Sequence, residues 1–133
     1  MKLVHWGTRK THRTGKDSER LFLAAFEEER WIKPRWYQSI RCATAAEDAD
    51  GYDFFVCTDR GEVPIQVKSS NRYIVAYRQR HPNSTAIIIV VGLSHTAAQI
   101  RRDTLEAIGN RWNARPELLS TGAWSVPARG FDG

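Results

Sequence analysis

Apolar positions along this chain change period from one segment to the next, and each period predicts a different element. Leu21, Phe22, Ala25 and Phe26 recur at helical spacing with Glu27, Glu28 and Glu29 on the wet side, so residues 14–30 are predicted to form an amphipathic helix. Thr14 stands as its N-cap, with Asp17 three residues on as the capping-box partner. Pro34 disfavours helical geometry at Lys33 and ends that region. Residues 36–44 alternate as a strand, and the acidic run at 47–51 reads as a turn.

Residues 51–70 carry the most informative pattern. Two strand-like runs, 52–57 and 63–67, flank a Thr-Asp-Arg-Gly turn at 58–61, which predicts a β-hairpin. Side chains alternate along a strand, so Asp53 is expected on one face with Phe55 and Cys57, and Tyr52, Phe54 and Val56 on the other. On the second strand Ile65 and Val67 share one face, and Gln66 and Lys68 the other. Where the two polar faces coincide, an acid, an amide and an ammonium converge on one patch.

Ser70 is expected to cap a helix over 71–80, with Tyr73, Ile74 and Tyr77 as its stripe and His81-Pro82 as its stop. The β-branched run at 85–93 suits a strand buried on both faces. Residues 94–96 then offer a cap for a second long helix reaching Trp112. The expected order is α-β-β-β-α-β-α. It is flanked by an irregular basic arm at 1–13 and an unassigned tail at 113–133, all within one 133-residue domain.

Composition adds little to that pattern: 41% hydrophobic and 26% charged residues are ordinary for a soluble globular chain. The net charge of +5 points weakly to a polyanionic partner, but Arg9, Lys10, His12, Arg13 and Lys16 crowd one short stretch suited to gripping phosphates. Cys42 and Cys57 show no metal-ligand spacing, which excludes a zinc ribbon. The longest apolar run, 86–93, is too short for a bilayer, and the first residues do not form a signal peptide. A cytoplasmic protein is expected.

The polar strand residues fit phosphodiester hydrolysis. Mg²⁺ takes oxygen ligands, often one or two carboxylates, and Asp53, the Gln66 amide oxygen and the Val67 backbone carbonyl are all oxygens. Lys68 supplies fixed positive charge to orient a water or to stabilise the charge that builds on phosphorus. Glu19 falls on the buried edge of the first helix, where it can complete the set; taken alone it is an acid near a helix N-terminus.

In order and residue type, the chain resembles the PD-(D/E)xK nuclease superfamily, which includes Holliday-junction resolvases, many restriction endonucleases and the cleavage subunits of some transposases. The resemblance covers residues 14–95. Glu19 in Gly-Lys-Asp-Ser-Glu matches the first-helix acid, Asp53 in Gly-Tyr-Asp-Phe-Phe-Val the second-strand acid, and Gln66-Val67-Lys68 the third-strand motif. The departure is Gln66, where the superfamily usually carries Glu or Asp.

The resemblance implies an α/β, restriction-endonuclease-like αβββαβ core with a mixed central sheet flanked by helices. It also implies a metal-dependent endonuclease that cuts DNA, including branched recombination or repair intermediates. Glu19, Asp53, Gln66 and the Val67 carbonyl would hold Mg²⁺ (or Mn²⁺), with Lys68 assisting the attacking water. Arg9, Lys10, Arg13, Lys16, Ser69 and Ser70 would contact nucleic acid; RNA stays open beside DNA. A homodimer or a partner subunit is expected, because cutting both strands symmetrically needs two sites. The alternative is a nuclease fold that has lost catalysis with the acid at position 66. It would then serve as a nucleic-acid-binding module or as a subunit of a transposition, restriction or repair complex.

Overall fold

The computed structural model describes the backbone of residues 6–113 and the side chains of residues 15–113. The described residues fall into two compact units that part between Arg101 and Arg102, and the sheet lies entirely in the first. The architecture is α/β: a mixed four-stranded sheet flanked by helices, in the order α1 (Trp6–Glu27), β1 (Tyr37–Cys42), α2 (Ala45–Ala49), β2 (Phe54–Thr58), β3 (Gly61–Lys68), a 3-10 turn (Asn71–Tyr73), α3 (Ile74–Arg80), β4 (Ile87–Val90) and α4 (Ala97–Asn113). The predicted order holds, with α2 added.

Helix α1 starts well before Thr14, which therefore does not cap it. No proline interrupts residues 6–27, and Lys, Arg and Ala favour helix, so the basic stretch is helical backbone rather than an irregular arm. Asp17, expected as a capping partner, instead pairs with Arg20 at 3.1 Å, one turn on. The predicted stripe is buried at Phe22, Ala25 and Phe26. The Phe22 ring lies 4.9 Å from Phe54 of β2 and Phe26 stacks on Tyr37 of β1, which docks α1 across one face of the sheet. Truncating Phe22, which is fully buried, to Ala is expected to cost about 3–5 kcal/mol. The helix ends where Arg101 donates to Ala25 O at 2.7 Å, satisfying one of its last free carbonyls, and pairs with Glu28.

The sheet order is β1-β2-β3-β4, antiparallel across the first three strands and parallel between β3 and β4. At the β2–β3 turn Gly61 takes φ 109°, open only to glycine at low cost, and the Thr58 hydroxyl donates to Gly61 O at 2.7 Å. β4 alternates buried and half-buried positions, so one face of it is less covered than a strand enclosed on both sides.

The acidic run expected as a turn is helix α2. Thr44 and Glu47 form a reciprocal capping box, with Glu47 N to Thr44 Oγ1 at 3.2 Å and Thr44 N to Glu47 Oε1 at 2.8 Å. The same device starts α4 at Thr96 and Gln99. Ser70 caps the turn that precedes α3, as expected.

Candidate active site

The hairpin's geometry creates the site. β3 pairs with β2 only as far as Phe54–Ile65, so residues 66–68 run past the end of β2 while still pairing with β4 on their other side. A strand residue sends its N–H and C=O the same way. Val67 N–H donates to the Asp53 Oδ2 at 2.8 Å, so the Val67 carbonyl also points into the gap that β2 leaves. Asp53 takes the place of the missing strand there.

Strict alternation fails at this point. Asp53 N donates to Ile65 O at 2.9 Å, and Ile65 is already the partner of Phe54, so two consecutive residues face one. Such a bulge shifts the side chains before it to the other face. Tyr52 accordingly meets Phe55, with ring centroids 5.6 Å apart, and Asp53 lines a cleft with Phe54 and Cys42. The expected partnership of Asp53 with Phe55 and Cys57 is thus replaced.

That cleft, of about 480 Å³, is lined on the α1 side by Lys16, Glu19, Arg20 and Leu23, and on the other by residues 42–45, Asp48, Asp53 and Phe54. Glu19 and Asp53 therefore share one opening, as the sequence pattern requires. Burial pushes the Asp53 carboxyl up to about 7; the Val67 N–H opposes the shift, Glu19 and Asp48 add to it, and Lys68 opposes it. Asp48, which with Asp50 could assist a second ion but reads more simply as part of an acidic turn, lies in the cleft because α2 carries it there.

Gln66 and Lys68 share a face with each other, as predicted, but neither lines the cleft that holds Glu19 and Asp53. The bulge turns Asp53 to the face of Phe54 and Ile65, so the expected convergence of acid, amide and ammonium on one patch is not found. Gln66 is buried, and its Nε2 donates to Val67 O at 3.4 Å, a long contact. Lys68 places its Nζ 5.1 Å from the centre of the Tyr77 ring on α3. Ser69 and Ser70 are half-buried just beyond, and Lys16 is exposed at the cleft. The side chains of Arg9, Lys10 and Arg13, the first five residues and the tail from 114 lie outside the described residues. Glu62 is taken by Arg41, with contacts of 2.8 and 2.9 Å, and does not serve the site.

Among the described residues no group of three or more His, Cys, Asp or Glu side chains could hold a metal ion. Of the expected oxygen ligands, the carboxylates of Glu19 and Asp53 line the cleft, with Asp48 beside them, and the Val67 carbonyl points into the gap next to Asp53, whereas Gln66 does not line it. That set suits Mg²⁺, which commonly uses one or two carboxylates and leaves other positions to water and phosphate. Among the described residues no helix is long and apolar enough to cross a membrane. Comparison with protein-family models, curated proteins and solved structures finds no match to this chain.

Proposed function

We propose that this chain is a metal-dependent endonuclease acting on DNA, built on a restriction-endonuclease-like core with a Gln-x-Lys variant of the third-strand motif. One observation carries the reading. Glu19 and Asp53, from helix α1 and the start of β2, line one cleft beside the overhanging end of β3 that carries Lys68. The strained Asp53 carboxyl supports it, because an acid pushed up by burial and by neighbouring acids is one that a bound cation would relieve.

Mg²⁺, when bound, supplies polarisation of the phosphodiester. Glu19, Asp53 and the Val67 carbonyl would hold it, with Gln66 joining only by presenting its amide oxygen. Lys68 orients the attacking water and stabilises charge developing on the phosphate oxygens. Lys16, with Arg9, Lys10, Arg13, Ser69 and Ser70, grips the flanking phosphates. Branched recombination or repair intermediates are the substrates of choice, cut by a homodimer or with a partner subunit.

A second reading rests on Gln66. Its Nε2 already occupies the Val67 carbonyl that a cation would need, which favours a fold that holds nucleic acid without cutting it. One titration separates the two: Mg²⁺ and Mn²⁺ against branched, nicked and linear DNA. The hydrolytic reading expects cleavage that drops at least about a thousandfold in Asp53→Ala and Lys68→Ala. Cleavage undiminished in those variants sinks it, and salt-sensitive binding without cleavage in either metal establishes the second reading.

A further inference from the structure

Tyr77 touches both halves of the site. It is buried on α3 at 3% exposure, and its ring lies beneath the Lys68 ammonium. Its hydroxyl meets Gly51 O at 2.6 Å and Ser84 Oγ at 2.7 Å. The direction of these bonds follows from their partners. Gly51 O can only accept, so it takes the single tyrosine proton. Ser84 Oγ already accepts from Ala86 N at 3.1 Å, so its own proton goes to the tyrosine oxygen. The result is one oriented chain, Ala86 to Ser84 to Tyr77 to Gly51, each bond polarising the next.

Gly51 is two residues before Asp53 and is itself held. Its φ of 97° excludes most side chains, and a Cβ there would meet the His81 ring at 3.0 Å. The His81 ring in turn lies 4.9 Å from that of Tyr77. The segment leading to Asp53 is therefore seated against the same aromatic surface that carries Lys68.

We propose that Tyr77 is a positioning residue, setting the placement of the Lys68 ammonium through its ring face and of the Gly51–Asp53 segment through its hydroxyl. The catalytic part rests on the hydrolytic reading above. A cation over a desolvated aromatic face is held by the ring's quadrupole without an acid partner, which leaves Lys68 free to act on phosphate. The two jobs belong to different parts of one side chain, so they separate by substitution.

Two measurements test this. In protein carrying ¹³C-labelled lysine, with the Lys68 signal assigned by Lys68→Arg, the Lys68 ε-methylene protons should stand upfield of the unstructured-lysine position, as should those of Lys33, whose ammonium lies 4.6 Å from the centre of the Trp31 ring. That shift should persist in Tyr77→Phe and vanish in Tyr77→Leu. In cleavage assays Tyr77→Phe should lose about tenfold in kcat and Tyr77→Leu about a hundredfold, with KM within twofold in both, as expected for misplacement of reacting groups. An undisplaced Lys68 signal in the wild type overturns the placement whether or not the Leu variant folds. Full kcat in Tyr77→Phe overturns the hydroxyl's role. Failure of the wild type to cut with any metal defeats the hydrolytic reading instead, and the Lys68 signal then decides the placement alone.

Discussion

Two acidic groups are built on the same hairpin, and they are treated in opposite ways. On the Phe55 side, Arg41 lies 4.2 Å over the Phe55 ring and bonds Glu47 at 2.8 and 2.9 Å and Glu62 at 2.8 and 2.9 Å. Arg41, together with the Thr44 backbone N–H, holds the Glu47 carboxyl down to about 2. In the cleft, Asp53 is displaced the other way, up to about 7, although Lys68 opposes the shift. The first group contains its own cation and is electrostatically complete. In the second, Glu19, Asp48 and Asp53 line a cleft together with Lys16 and Arg20, and Glu19 and Asp48 add to the upward shift of Asp53 while Lys68 opposes it. The direction of the shift, more than the number of acids, distinguishes a structural cluster from a candidate site.

The largest effect should come from adding to the second group. Gln66→Glu adds a further carboxylate and removes the amide contact to Val67 O, so Mn²⁺ affinity should rise about tenfold or more in calorimetric titration. Unchanged affinity would show that position 66 does not reach the cleft.

Next in size is the pH dependence of the metal-free protein. The folded Asp53 keeps a proton up to about 7, whereas its ordinary value is 3.8, so between those limits the unfolded chain binds fewer protons than the folded one. Stability should therefore fall as pH rises through that window. Urea midpoints should show this decline in the wild type and lose it in Asp53→Asn, and a decline of equal size in both would assign it to another group.

The smallest effect belongs to the complete group. Arg41→Ala removes an exposed network, and the thermal midpoint at pH 7 should drop by only about a few degrees. Glu47 is lowered from 4.5 to about 2, so its stabilisation is full above 4.5 and fades as pH falls through 2. The wild-type advantage over Arg41→Ala should shrink accordingly at the acid end of a melting series.

Strand and helix order was legible because the periods are clean: Phe22 and Phe26, Ile65 and Val67, and Ile87 and Ile89 are buried as their spacing implies. Asp53 and Lys68 could be selected from sequence because an acid or an ammonium on an otherwise core-bound strand is conspicuous. Glu19 gained meaning only beside them, and it is exposed on α1 rather than set at the buried edge where its spacing placed it. What the pattern hid was local geometry. The doubled residue at Asp53–Phe54 reverses which face Asp53 serves, and nothing in Gly-Tyr-Asp-Phe-Phe announces it. Helix α2 was hidden because its Thr-Ala-Ala-Glu box opens only five residues of helix, in a run whose acids also suit a turn. Asp48, weighed as an aid to a second ion, was assigned to the turn with it. The Arg41 network joins residues 6 and 21 positions away, a distance that periodicity does not report.

Ser18 ties the helix that carries Glu19 to the far side of the sheet. Its buried hydroxyl donates to Val91 O at 2.7 Å, across 73 residues of chain, and Glu19 is its neighbour. Phe22 and Phe26 meanwhile hold the same helix to Phe54 and Tyr37. The wall of the cleft that bears Glu19 is thus moored at both edges of the sheet, so a change that loosens either mooring should alter how Glu19 faces Asp53.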